Sequence, residues 1–163
     1  MSRRYAPAIR GLLAGAACAA ALIQGISAAQ AGTCPADKQL KQPRTVENAP
    51  DVGIRRETLS VVNVTGWRNL GDLRLRTRRL TVAVNGIVPF HRHDDRPSIV
   101  YVASGEIIEH SAFCSVPITH RTGDWTPEFG PGHAHWWENK SGKEVVLLSS
   151  DIVPPDMLDD PDM

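Results

Sequence analysis

From residue 56 to residue 152 the chain runs in short apolar–polar alternations, broken by turn residues about every 8–12 positions. Residues 59–64 (LSVVNV) read as a first strand. Leu73-Arg74-Leu75-Arg76 alternates with period two, which predicts buried leucines and exposed arginines. Leu80, Val82 and Val84 alternate on the opposite parity, so a bulge or kink is expected near residues 77–79. Further strands are predicted over 98–103, 106–111, 116–121, 124–129, 133–139 and 144–152. Their turns fall at Gly105, Thr122-Gly123 and Asn139-Lys140-Ser141-Gly142. Eight or nine short strands with no helical period predict an all-β domain, an antiparallel barrel or sandwich. Residues 32–55 carry three prolines and no period, and read as an N-terminal arm. Residues 153–163 are acidic and broken by proline, and read as a solubilising tail.

Composition adds a compartment. Arg3, Arg4 and Arg10 precede an apolar, Ala-rich run, and Ala29-Gln30-Ala31 offers small residues for cleavage. Residues 1–31 are therefore expected to be an export signal, either of the general secretory kind or, through Ser2-Arg3-Arg4, of the twin-arginine kind. The location implied is periplasmic or secreted. The apolar run is short for a bilayer span, and no transmembrane segment is expected once it is removed. Cleavage would leave 132 of the 163 residues, with 15 basic against 18 acidic side chains. That slightly acidic balance gives no reason to expect nucleic acid as a partner. Two cysteines remain, Cys34 and Cys114. Paired, they would close a loop of about 80 residues, worth roughly 4 kcal/mol on the chain-entropy account; two free thiols are the alternative.

All six histidines fall between residues 91 and 135. His91 and His93 stand two apart in an extended run, so both imidazoles leave one face of the strand, as a pair of metal ligands must. His135 is a third candidate ligand. His133 shares its parity and is either a fourth ligand, an acid–base group beside the ion, or a strand-end side chain in solvent. Trp137 also shares the parity of His135, and Tyr101 lies near the ligands, so both are candidate pocket walls. Asp94 and Asp95 could supply a carboxylate but precede Arg96-Pro97 and look like a turn. The arginines at 68, 74, 76, 78 and 79 read as a solvated strand face, with an anion-binding stripe as the alternative. His110 and His120 read as surface or structural residues.

Residues 86–105 run Gly86, His91, His93, Gly105, and residues 123–139 run Gly123, Gly132, His135, Asn139. In order and spacing these resemble the two motifs of the cupins, and the short link between them resembles bacterial single-domain cupins of the type-2 conserved-barrel kind. The resemblance implies a single jelly-roll β-barrel over residues 56–152. It implies a divalent metal cofactor (iron, zinc, copper, nickel or manganese) held by His91, His93 and His135, and a homodimer as a family habit. Two positions depart from the pattern. Gly130 stands where a proline is usual, and Ser98 stands where the family carries a ligating glutamate. Three neutral imidazoles would leave the full +2 charge on the ion, so the site is expected to draw a small anionic or chelating ligand.

Two functions follow as expectations. One is a metal-dependent oxidoreductase of dioxygenase type acting on a small molecule. The other is a non-catalytic module that binds a metal or a small ligand. The export signal has its own test: mass spectrometry of protein recovered from the periplasm should show an N-terminus at or near Gly32, and an intact Met1 would count against export processing.

Overall fold

The computed structural model describes residues 32–160. Residues 1–31, read as the export signal, and the last three residues of the acidic tail lie outside them. Eight strands are formed: β1 (Val52–Asn63), β2 (Arg74–Arg92), β3 (Ser98–Ser104), β4 (Glu106–Ser111), β5 (Ile118–Arg121), β6 (Trp125–Glu128), β7 (Ala134–Glu138) and β8 (Val145–Val153). The helices among the described residues are three single 3-10 turns. The sheet order is β5-β4-β7-β2-β8-β3-β6, with β1 on β2, and every pairing is antiparallel. β5 and β6 stand at opposite ends of that order, yet residues 122–124 alone join them. The sheet therefore has to curl until its ends meet. Across the seam Thr126 Oγ1 lies 3.2 Å from His120 Nδ1.

β2 makes the curl possible. Its first half pairs with β8, Arg74 to Val82 against Val153 to Val145. Its second half pairs with β7, Ile87 to Arg92 against Glu138 to Ala134. Between the two, Asn85 takes φ of 60°. A Cβ on Gly86 would lie 2.8 Å from the Ala83 carbonyl, so the bend leaves room for glycine only. Asn139 ties the bend to the next turn. Its buried amide reaches the carbonyls of Val82 (3.1 Å), Ala83 (3.0 Å) and Lys143 (2.6 Å), and its oxygen accepts from the Ser141 N–H.

The interior is layered by the alternation of β3, β8 and the first half of β2. Val82, Val102, Ile107 and Val145 close one end of the curled sheet, with Leu80, Val100, Leu147 and Trp137 beneath them. Toward the other end the inward positions turn polar. Arg78 stands opposite Ser149 and Arg76 opposite Asp151. Arg76 grips Asp151 with two hydrogen bonds of 3.0 and 2.7 Å, both side chains being fully buried. Its other nitrogen donates to the carbonyls of Met157 and Leu158 and so holds the chain after β8 against the barrel. Removing one partner of so buried a pair costs about 3–5 kcal/mol.

This arrangement corrects the reading of the arginine strand. Arg76 and Arg78 point inward and Leu75 outward, while Arg68 and Arg79 are exposed. The parity of β2 is unbroken from Arg76 through Val82, and its register with β8 is continuous. A register shift does fall at Thr77–Arg78, but the extra residue belongs to β1, between Thr58 and Ser60. β1 also begins at Val52, inside the stretch read as an arm.

The remaining arm lies along residues 112–115. Leu40 N–H donates to the Phe113 carbonyl and Arg44 N–H to that of Ala112, each at 2.9 Å. Cys34 and Cys114, 80 positions apart in sequence, form a disulfide with Cα atoms 5.8 Å apart. On loop-closure entropy, reduction should lower the unfolding free energy by up to about 4 kcal/mol. Urea titrations of the Cys34→Ser variant, and of the wild type with and without reductant, measure this. Superimposable curves would show that the bridge adds nothing to stability.

Candidate metal centre

His91 is the last residue but one of β2, His93 follows the strand in the loop to β3, and His135 sits opposite His91 in the β2–β7 register. The bend of β2 is what turns these positions toward the interior. His135 Nε2 lies 3.0 Å from His91 Nε2 and 3.2 Å from His93 Nε2. A fourth donor joins them: Glu128, at the end of β6, brings Oε2 to 3.2 Å from His93 Nε2 and Oε1 to 3.7 Å from His135 Nε2. The four ligand atoms lie within 4.8 Å of one another.

Each imidazole is held by its far nitrogen. His91 Nδ1 lies 2.8 Å from the Pro89 carbonyl, and His93 Nδ1 lies 3.0 Å from the Arg96 carbonyl. A carbonyl can only accept, so both Nδ1 atoms carry the proton and donate it. His135 Nδ1 lies 2.8 Å from Glu109 Oε1. Burial opposes ionisation of Glu109, but hydrogen bonds from His120 and His135 outweigh it and hold its pKa well below the usual carboxylate range. An ionised carboxylate accepts only, so His135 also donates from Nδ1. The 3.3 Å approach of Trp137 Nε1 to that nitrogen is then a packing contact, since no lone pair is left there. Glu109 Oε2 accepts from His120 Nε2 at 2.8 Å, which leaves His120 Nδ1 to the Thr126 hydroxyl.

The consequence is electrostatic. With all three rings neutral, three Nε2 lone pairs converge on one point with no proton between them. Only a cation, whether a proton or a metal ion, can make that arrangement favourable. Two nitrogens on one ion at about 2.0–2.1 Å stand roughly 2.9–3.3 Å apart for octahedral or tetrahedral angles, and the measured spacings fall in that range. Burial, followed by the neighbouring imidazoles, drives the His91 pKa well below the ordinary imidazole value, and that of His93 to about 2. Burial also opposes charge on His135, but Glu128 and Glu109 overcome it and raise its pKa. Glu128 is pushed up to about 7, chiefly by burial. Its Oε1 is buried without a hydrogen bond among the described residues. Donor types, spacing and an unpartnered carboxylate oxygen together fit a divalent ion.

Glu128 replaces the carboxylate that seemed to be missing. Ser98 does face the interior, but Glu128 is its partner across the β3–β6 ladder and fills the space in front of it. The carboxylate stands on the neighbouring strand, so an ion here would keep a net charge near +1 rather than +2. Asp94 and Asp95 are not part of the cluster. Asp94 accepts from Gly132 N–H at 2.6 Å and ties the loop before β7. His133 lies at the edge, its ring 5.5 Å from that of His93 and 5.4 Å from that of His135. Its Nε2 is buried without a partner among the described residues, and burial lowers its pKa. Trp137 is buried against His120 and His135. Tyr101 points to the outer face, where it stacks on Trp125 at 4.3 Å, and it is no part of the pocket. His120 is buried in the relay behind His135, while His110 stacks on Trp136 and meets Glu138 at 3.1 Å.

The role of Glu109 is testable apart from the ligands. Glu109→Gln can accept a bond from His135 but supplies no charge, and should weaken zinc or iron affinity about 10–100-fold with the fold intact. Competition against a chromophoric chelator measures it, and an unchanged affinity would remove Glu109 from the centre.

No family model matches the chain, and no curated protein does. Solved structures do. KdgF from a Halomonas species superposes with a TM-score of 0.50 at 18% identity, over 69% of this chain and 92% of that one. The cupin domain of Schizosaccharomyces pombe Cnp3 gives 0.49 at 8% identity, over 63% of each chain. A Bacillus halodurans protein gives 0.45 at 13% identity, over 49% of this chain and 63% of its own. This chain thus spans just under two thirds of the length of the last two. At these identities the likeness speaks for architecture alone, and the architecture is that of the cupins.

Proposed function

We propose that His91, His93, His135 and Glu128 hold one divalent metal ion, and that the protein is an exported metal-dependent enzyme acting on a small molecule. The observation that carries this reading is the convergence of three Nε2 atoms whose tautomers are fixed from behind, beside a buried, unpartnered carboxylate oxygen. Imidazole with one carboxylate suits iron, manganese, nickel, zinc or copper. When bound, the ion supplies a Lewis-acidic position and, for a redox metal, electrons.

A chamber adjoins the donors. His91, His93 and Glu128 line one side of it, and Leu80, Val88, Val100, Leu147 and Trp137 give it apolar walls. These walls exclude water, and Glu109 with His120 holds His135 in register. Apart from the ligands themselves, no carboxylate or imidazole among the described residues lines the chamber. A dioxygenase-type oxidation relies on the metal for its difficult chemistry, and the chamber beside the donors favours an enzyme over a closed, non-catalytic metal site. Export to the periplasm or beyond is supported by the N-terminal pattern and by the Cys34–Cys114 bridge.

Metal uptake must expel the proton that Glu128 carries below a pH of about 7 and the one that the raised pKa of His135 retains. Affinity should therefore fall as pH drops through 7, by up to tenfold per unit for each proton displaced. Metal analysis by mass spectrometry should find one ion per chain in the wild type and none in His135→Ala. Iron-loaded protein should consume dioxygen with a member of a panel of small organic acids and thiols. Unchanged metal content in His135→Ala would sink the centre, and silence of every metal-loaded form across the panel would sink the enzyme.

A further inference from the structure

We propose that the chamber beside the four donors binds a small carboxylate, gripped by the guanidinium of Arg78 with Arg96 and Arg56 beside it. None of the three is a metal ligand, and all three line the chamber.

The charge balance points there. Arg76, Arg78 and Arg96 are each at least 96% buried, and one carboxylate, Asp151, serves them all. Asp151 is already gripped twice by Arg76 and takes a third bond, of 3.0 Å, from Arg96 Nη1. Arg78 is left with an ion pair at 3.5 Å as its polar contact among the described residues. The Nε atoms of Arg56, Arg78 and Arg96 are buried without partners among the described residues. The carboxylate nearest Arg56 is spoken for, since Asp51 pairs with it at 2.6 Å. Asp159 and Asp160 line a separate cleft with Arg56 and Arg78, outside the chamber. Three buried guanidinium groups thus share Asp151, and the other carboxylate of the chamber, Glu128, is engaged with His93 and His135. Burial and the neighbouring Arg76 accordingly push the Arg78 pKa down to about 10. An unbalanced buried cation is costly unless an anion joins it.

Shape narrows the class. A guanidinium fork matches a carboxylate with two parallel hydrogen bonds. The apolar walls suit the carbon body of an organic acid better than the all-oxygen surface of phosphate. Space open to the centres of water-sized groups is about 30 Å³, roughly two to three times what one water needs, so the acid is of acetate to propionate size. Arg96 Nη2 lies 3.5 Å from His93 Nε2. An acid held on the arginines thus presents its other end to the donors. Only that last step rests on the metal-centre reading; the grip itself does not.

The test uses full-length protein, chelator-stripped and metal-loaded, titrated with propionate and with inorganic phosphate by calorimetry and thermal shift. Propionate should bind saturably and raise the melting temperature in both forms, and phosphate should bind at least tenfold more weakly. Arg78→Gln should lose at least tenfold in propionate affinity while keeping its metal content. Arg78→Lys, which keeps the charge and loses the fork, should fall in between. Should Arg78→Gln fail to fold, Arg56→Gln, at the more exposed rim, should weaken propionate several-fold. Wild-type propionate affinity in the folded arginine variants would overturn the proposal. So would phosphate binding as tightly as propionate, or propionate binding to metal-loaded protein alone. Propionate binding by a protein that takes up no ion would sink the metal centre and leave the arginine grip standing.

Discussion

Three imidazole Nε2 atoms face one another inside a curled sheet, and most of what is unusual in this chain follows from holding them there. Left alone, three such lone pairs repel. They stay in place because each ring is tied from behind, to the carbonyls of Pro89 and Arg96 and to the carboxylate of Glu109. Glu109 is in turn tied to His120, and His120 to Thr126 on the strand across the seam. The relay thus doubles as a clasp between β5 and β6. Glu128 then supplies the negative charge that lets a cation remain in a dry interior.

Housing that much polarity reverses the usual sense of several strands. In β6 Trp125 faces solvent, as does Phe129 just after it, while Glu128 is buried. In β2 Leu75 is exposed and Arg76 and Arg78 are buried. The apolar core is confined to one end of the barrel, where Val82, Val102, Ile107 and Val145 pack. It is the counterweight that allows the other end to carry arginines. A barrel built for stability alone would leave no such charges unbalanced, and natural proteins keep such costs where a ligand repays them.

The bend in β2 brings its two halves to one chamber. One strand of nineteen residues supplies Arg78 from its first half and His91 from its second. Gly86 permits the bend, and Asn139 fixes it by capturing carbonyls that the ladder leaves free. The glycine and the asparagine of the two sequence motifs therefore act on one joint, although 53 positions separate them.

The sequence by itself determined what rests on local pattern. Turn spacing and period-two alternation place the strands from β2 onward. The motif residues Gly86, His91, His93, His135 and Asn139 identify the cupin architecture and the three imidazoles. Spacing was enough for these because neighbours along one strand have fixed relative directions. Tertiary structure decided the rest, because it depends on which strands lie side by side. The carboxylate that stands among the imidazoles is Glu128 and not a residue at position 98, since β3 and β6 pair with Ser98 opposite Glu128. No alternation along either strand encodes that pairing. The inward turn of Arg76 and Arg78 was equally hidden. Alternation gives two faces but does not say which is inside, and a hydrophobic rule chooses wrongly where the interior holds Asp151 to receive the charge.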